Sequence, residues 1–304
     1  MIKLLSVVFS WILISTPLAI ASTQHHSGSK PSKNSSVILV DKKTNLLHVA
    51  EYDESTGDYQ FLKTYHTTLG KVKGDKEDEN DLKTPEGIYH FIGVKTPPRL
   101  QAKFGVKAFP MDFPNAFDRL AGRTGNGIMM HGTDVPERLK LNYDSEGCVV
   151  VKNEEIQEIT PHIRLGLTPI LIFPELTEEY KHPGKDTQLK QFFQTWISDW
   201  ESKNVDGYIS HYHSDFSANG KQRQAWKAYK THLNSVYSKI EINPENIRFY
   251  RHPKYSVITF TQNYRSKLKS GGWGHRSTGT KALFVAEEQQ QPRIIAETFS
   301  NLMW

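Results

Sequence analysis

Apolar and polar positions divide the chain into two stretches of different rhythm. From Ser36 onward the apolar residues come in short runs, at 37–40, 46–50, 59–62, 88–91, 128–130 and 167–173, broken by Gly, Asp and Pro. Runs of that length bounded by turn formers predict strands, and several in series predict a mostly β sandwich or barrel with short helices. Past residue 185 the rhythm changes. Leu189, Phe192, Phe193, Trp196 and Trp200 recur at helical spacing, one apolar face of an amphipathic helix. A second helix is predicted over 221–237, then strands at 247–250, 257–264, 280–286 and 292–299. Helices followed by an antiparallel run predict a smaller α+β domain. Between the two, Glu175, Glu178, Glu179, Lys181, Pro183 and Gly184 read as a linker. The expected organisation is a first domain over 36–175, a linker over 176–185 and a second domain over 186–304, with no internal repeat.

The N-terminus adds a compartment. Lys3, an apolar stretch over 4–20 and Ala19-Ile20-Ala21 read as a secretory signal peptide over 1–21, cleaved near Ala21. That expects a protein exported to the periplasm or cell envelope. No cysteine stands at the cleavage site, which excludes a lipoprotein anchor. Residues 22–35 read as a disordered polar spacer, and His25-His26 within it as incidental. The net charge of +5 has its positive excess beyond Asp186, which favours anionic envelope polymers or lipid surfaces as partners. No arginine cluster or aromatic–basic motif marks a nucleic-acid binder. The thirteen histidines are scattered, with no His-Glu-x-x-His or similar spacing, so no metal site is expected.

Candidate chemistry centres on Cys148, the single cysteine of 304 residues. An odd cysteine is a buried small hydrophobe, a point of intermolecular pairing or a nucleophile. Its neighbourhood is Ser145-Glu146-Gly147-Cys148 followed by Val149-Val150-Val151, seventeen positions after His131 of His131-Gly132-Thr133. A thiol becomes a useful nucleophile where a neighbour takes its proton or stabilises the thiolate. His131 follows the apolar run 128–130, so a sheet would fix it. Gly132 permits close approach of another segment or a substrate. Gly147 does the same beside the thiol and can turn backbone N–H groups towards a developing oxyanion. Spacing singles out no third group to orient the imidazole; a backbone carbonyl could serve. The charged stretch 75–81 is too polar for a core and is expected as an exposed loop near or over the site. Asp206, His211, His213 and Asp215 are expected to be surface or pocket-lining groups.

His131-Gly132, a loop and Ser145-Glu146-Gly147-Cys148 resemble the catalytic motif of the L,D-transpeptidase (YkuD-type) family. The resemblance extends over about 36–175. It takes in Val37-Ile38-Leu39-Val40-Asp41-Lys42, Gly74-Asp75-Lys76, Thr84-Pro85-Glu86-Gly87-Ile88-Tyr89, Phe113-Pro114-Asn115, Asp118-Arg119 and Gly125-Asn126-Gly127. It implies a cofactor-free enzyme acting on peptidoglycan stem peptides. Cys148 would attack the diaminopimelate carbonyl to form a thioester, with His131 as base and acid and the Gly132 carbonyl orienting it. Gly147 and Ser145 would shape the oxyanion turn, and Thr133, Glu146 and Lys76 are candidate substrate contacts. Transfer to an amine makes a transpeptidase; transfer to water makes an L,D-carboxypeptidase or amidase. Many members carry His at the Glu146 position and Arg at the Val150 position. Both are absent here, which is similar to the branch of cell-shape L,D-carboxypeptidases and the murein-lipoprotein-detaching enzyme. Trp196, Trp200, Asp206-Gly207-Tyr208, Tyr212, Asp215-Phe216 and Trp226-Lys227 resemble a SnoaL-like (nuclear transport factor 2-like) domain. That domain implies substrate positioning or homodimerisation. Envelope proteins are further candidate partners, and a degenerate wall-binding module is the non-enzyme alternative.

Overall fold

The computed structural model describes residues 35–301; the expected signal peptide and nearly all of the expected spacer lie outside them. The first half contributes ten strands. These are β1 (Ser36–Asp41), β2 (Leu46–Tyr52), β3 (Tyr59–His66), β4 (Leu69–Gly70), β5 (Gly87–His90), β6 (Ala108–Pro110), β7 (Met129–His131), β8 (Tyr143–Ser145), β9 (Val149–Val150) and β10 (Pro169–Phe173). Helices α1 (Ala116–Leu120) and α2 (Asn153–Ile159) are the short helices expected of this domain. A five-stranded sheet runs β3-β2-β1-β10-β5, a three-stranded sheet β6-β7-β9, and β4 pairs with β8.

β1 is buried at every position and β10 likewise. That is why both read as unbroken apolar runs rather than alternating ones. Ile38, Val40, Ile170 and Ile172 face the three-stranded sheet, packing with Phe109, Met130, Val149, Val151 and Ile156. Val37, Leu39, Leu171 and Phe173 face the other way, onto Tyr250, Tyr255, Val257, Phe284 and Ala296. Those partners belong to the second half of the chain, so one sheet serves two cores.

The second half opens with α3 (Glu178–Lys181), α4 (Thr187–Glu201) and α5 (Val205–Ser210). Strands β11 (Tyr212–Ala218) and β12 (Lys221–Gln222) follow, then α6 (Arg223–Val236) and the long strands β13 (Tyr237–Tyr250), β14 (Ser256–Leu268), β15 (Trp273–Glu288) and β16 (Gln291–Asn301). They form one six-stranded sheet, β12-β11-β16-β15-β14-β13. Asp186 caps α4 by accepting from the Leu189 N–H. The face predicted from spacing is the buried one: Leu189, Phe192, Phe193, Trp196 and Trp200 pack with Tyr208, Tyr212, Phe216, Trp226 and Phe260. The predicted second helix starts two residues late, because Lys221 and Gln222 pair with Ala218 and Ser217 in a tight hairpin.

The stretch read as a linker is packed rather than free. Leu176 is buried with Tyr180 against it, and a Cβ on Gly184 would lie 1.8 Å from the Thr56 carbonyl oxygen. Among the described residues no helix is long and apolar enough to cross a membrane.

Candidate active site

β7 is the central strand of the three-stranded sheet. Ala108 lies opposite His131 on the antiparallel side, and Val150 lies opposite it on the parallel side. Side chains alternate along a strand. Phe109, Met130, Val149 and Val151 therefore enter the core. Ala108, Met129, His131 and Cys148 share the opposite face, where Cys148 packs with Ala108, Met129, Leu100 and Phe104. The sheet register alone thus brings the two sequence-predicted reactive residues to one face.

His131 is 1% exposed. Its Nδ1 lies 2.5 Å from the Gly132 carbonyl oxygen. A carbonyl only accepts, so Nδ1 carries the proton and Nε2 keeps its lone pair. The Phe104 ring meets the imidazole edge-on at 4.9 Å. Burial pulls the His131 pKa down to about 4, with Arg138 and Lys103 acting in the same direction and the Gly132 hydrogen bond opposing. The imidazole is neutral at physiological pH.

Gly132 is required by space. A Cβ there would sit 2.2 Å from Asn153 Oδ1. Asn153, at the start of α2, accepts from the Val106 N–H at 3.1 Å and donates to Asp134 at 3.1 Å. One amide thus pins the segments on either side of the histidine. The sequence reading missed Asn153; a polar residue opening a short helix carries no spacing signal.

Cys148 follows a turn in which Gly147 holds φ +119°, a conformation that favours glycine. A Cβ on Gly147 would also lie 2.7 Å from the Lys83 carbonyl oxygen. Ser145 is buried; its hydroxyl donates to the Cys148 carbonyl at 2.7 Å and accepts from the Gly147 N–H at 3.1 Å. The Gly147 amide is therefore spent within the turn. In this structure it faces the Ser145 hydroxyl rather than the groove. The half-buried Cys148 thiol is pushed up, chiefly by burial. Glu146 adds to the rise, while the Met129 amide, Arg138 and Lys103 oppose it.

His131 and Cys148 open into a groove of about 560 Å³. One wall is the loop between β4 and β5, contributing Lys71, Lys76, Glu79, Asn80 and Leu82; Glu146 and Asn126, whose amide reaches Glu79, also line the groove. Exposure along 75–81 is mixed. Lys76 is buried, and its ammonium is taken by Asp81 at 2.7 Å and the Asp78 carbonyl at 2.8 Å. Lys76 therefore braces the wall. The Thr133 hydroxyl turns back to accept from the Val135 N–H at 3.1 Å, away from the groove. Glu146 is exposed on the groove. Arg138, in the segment between His131 and Cys148, was not singled out from sequence. It reaches the groove, held by Asp144 at 2.8 Å. It brings a cation to a site whose Val150 is wholly buried. Asp206, His211, His213 and Asp215 lie in the second half, where His211 pairs with Asp199 at 2.9 Å and Asp206 with Lys227 at 2.6 Å. Among the described residues no group of His, Cys, Asp and Glu is arranged to hold a metal ion.

Residues 35–172 match the L,D-transpeptidase catalytic domain family, and 188–298 match the Cds6 C-terminal NTF2-like domain. Over 144 residues the chain is 35% identical to Escherichia coli YafK, a candidate L,D-transpeptidase by name. That match takes in 45% of this chain and 54% of YafK, so it spans about half the length of that relative. Bdellovibrio bacteriovorus Bd1075 is similar in structure at TM-score 0.73 and 28% identity, over 89% of this chain and 94% of Bd1075. The Campylobacter jejuni helical cell shape determining protein Pgp2 shares the fold at TM-score 0.68 and 21% identity, over 87% of this chain and 91% of Pgp2.

Proposed function

We propose, from the premise that residues 35–172 of this chain belong to the L,D-transpeptidase catalytic domain family, that it is a cysteine acyltransferase of peptidoglycan. Its donor is the stem tetrapeptide, cut at the L,D bond of diaminopimelate. Cys148 attacks that carbonyl as His131 Nε2 takes the thiol proton. The same proton then leaves with the departing D-alanine amine, and a thioester remains. The Cys148 N–H is the donor assigned to the oxyanion, since that of Gly147 is engaged by Ser145. An incoming amine, as the free base, attacks the thioester carbonyl; its proton passes through His131 to the departing Cys148 sulfur, the C–S bond breaks and the acyl group leaves on the new amide. Glu146 and Glu79, carboxylates on the groove wall, suit an acceptor that arrives as an ammonium. The signal-peptide character of 1–21 supports the periplasm or cell envelope as the compartment for this work.

The observation that carries the reading is the His131 Nδ1–Gly132 carbonyl contact. It leaves the one basic nitrogen of a neutral imidazole on the face shared with the thiol. The test is mass spectrometry of disaccharide-tetrapeptide incubated with the protein, with and without a D-amino acid, beside Cys148→Ala. Crosslinked dimers or D-amino acid exchange that depend on Cys148 support transfer. Tripeptide alone replaces transfer by hydrolysis, the L,D-carboxypeptidase outcome. No Cys148-dependent product sinks the assignment and favours a wall-binding module.

A further inference from the structure

We infer that Lys254, a residue of the C-terminal half, is a positioning residue for the active-site wall: it clasps the two ends of the loop that forms one side of the groove. The loop leaves β4 after Gly70 and enters β5 at Gly87. Its middle is organised by Asp81, which accepts from the N–H groups of Glu77, Asp78 and Lys83 and from Lys76 Nζ. Its far side is tied to the neighbouring turn, where Glu79 N–H donates to Thr124 Oγ1 at 3.0 Å and Thr124 N–H to the Glu77 carbonyl at 2.9 Å.

The base of the loop is closed differently, by charge. Asp75 Oδ1 accepts from the Glu86 N–H at 2.7 Å, which joins the two ends. Its Oδ2 meets Arg123 at 2.6 Å and Lys254 Nζ. Lys254 Nζ also donates to the Glu86 carbonyl at 2.9 Å. Lys42 adds the Gly74 carbonyl, the Thr84 carbonyl and Glu86 Oε1. Asp118 completes the set through Arg123. The cluster holds three cations, Lys42, Arg123 and Lys254, against three carboxylates, Asp75, Glu86 and Asp118. Their side chains are largely withdrawn from solvent, so removing one cation leaves an uncompensated buried carboxylate.

Lys254 is the only one of the six contributed by the second half of the chain. Its turn is fixed to the catalytic half on both sides. His252 Nε2 donates to the Ile172 carbonyl at 2.9 Å, and the Tyr255 hydroxyl accepts from the Ile88 N–H at 2.8 Å while its ring stacks on Phe117 at 4.1 Å. The C-terminal half therefore reaches the groove through Lys254 without lining it. The consequence passes to the thiol side, because the Lys83 carbonyl of the same loop abuts Gly147.

The test compares Lys254→Gln, which removes the charge, with Lys254→Arg, which keeps it, in the full chain. Amide hydrogen exchange at Glu77, Lys83 and Glu86 should quicken about tenfold or more in the Gln variant, with β14 unchanged and the Arg variant near wild type. The kinetic part rests on the proposed chemistry: KM for tetrapeptide should rise and kcat hold, with Arg restoring KM. Wild-type exchange in the loop of the Gln variant overturns the inference. So does acceleration spread evenly through both halves. If that variant does not fold, Asp75→Asn carries the same comparison, and unaltered loop exchange there overturns it. Failure of the wild-type protein to turn over tetrapeptide removes the proposed reaction and leaves the exchange result to decide this one.

Discussion

His131 Nδ1 and the Gly132 carbonyl oxygen are 2.5 Å apart, joined across a single peptide unit. The bond fixes the tautomer from within the same strand end, with no carboxylate as third member. Removing the ring removes the acceptor for the thiol proton. His131→Ala should lower turnover of tetrapeptide by about 10² to 10⁴, with the circular dichroism spectrum and melting temperature retained. Full turnover in that variant would exclude His131 as the base.

The two reactive groups titrate away from each other. Burial holds His131 at about 4 and pushes the Cys148 thiol above its ordinary value. At neutral pH the pair is imidazole and thiol rather than imidazolium and thiolate. Alkylation of Cys148 by iodoacetamide should climb with pH, its midpoint lying above the ordinary thiol value of about 8.5, with no acid plateau. A flat, appreciable rate between about pH 5 and 7 would reveal a preformed ion pair and contradict the electrostatics.

A second pH effect concerns stability. His252 is held at about 3, chiefly by burial, its Nε2 donating to Ile172 and its Nδ1 accepting from the Lys254 N–H. His131 is depressed in the same sense. For both, the unfolded chain takes up protons at a higher pH than the folded one, so stability is lost as pH falls from about 6.5 towards the folded values. Urea midpoints should drop across that window, and His252→Gln should flatten the drop. A midpoint independent of pH between about 6.5 and 4 would show that neither histidine is held neutral.

Much of this was legible beforehand, and the exceptions have a common cause. Periodicity placed α4, because Leu189 to Trp200 form one unbroken face. That His131 and Cys148 meet on one face was legible because each lies in or beside a run that becomes β7 or β9. Asn153, Arg138 and Lys254 were not. Asn153 and Lys254 act through contacts between distant segments, Lys254 with Asp75 across 179 positions, and Arg138 is aimed by Asp144 within an irregular loop; neither arrangement imposes a periodic pattern. The packed 176–185 stretch escaped for a related reason. Its polar composition is real, yet Gly184 is there to let Thr56 approach.

Gly132 and Asn153 provide a test of crowding. Gly132→Ala places a methyl 2.2 Å from Asn153 Oδ1, so the amide must leave and the Val106 N–H loses its acceptor. The expected cost is about 2 kcal/mol in stability, with a larger loss in turnover because His131 moves with the chain. Asn153→Ala should cost less alone and should relieve part of the Gly132→Ala defect in the double variant. Strict additivity would show that the two sites are not coupled.

The second half carries its own buried charge pair, and its aromatic core packs around it. Lys281 Nζ pairs with Glu297 Oε1 from the neighbouring strand, and both are nearly inaccessible. The other carboxylate oxygen accepts from the Tyr212 hydroxyl at 3.0 Å, and Trp196 Nε1 donates to that hydroxyl at 3.1 Å. The pair thus anchors a polar thread through an aromatic core. Lys230 stands nearby as a cation 4.1 Å from the Trp200 ring, its pKa lowered to about 7 by burial. At neutral pH it is only partly charged and compensates Glu297 weakly. Lys281→Met should therefore cost about 3 to 5 kcal/mol, since it strands the carboxylate. Lys281→Met with Glu297→Gln should recover most of that, because a neutral amide still accepts from Tyr212. Denaturation followed by the fluorescence of Trp196, Trp200 and Trp226 reads both variants in the core that holds the pair. If the double variant is as unstable as the single one, the cost lies in the lysine's packing rather than in the charge it leaves behind.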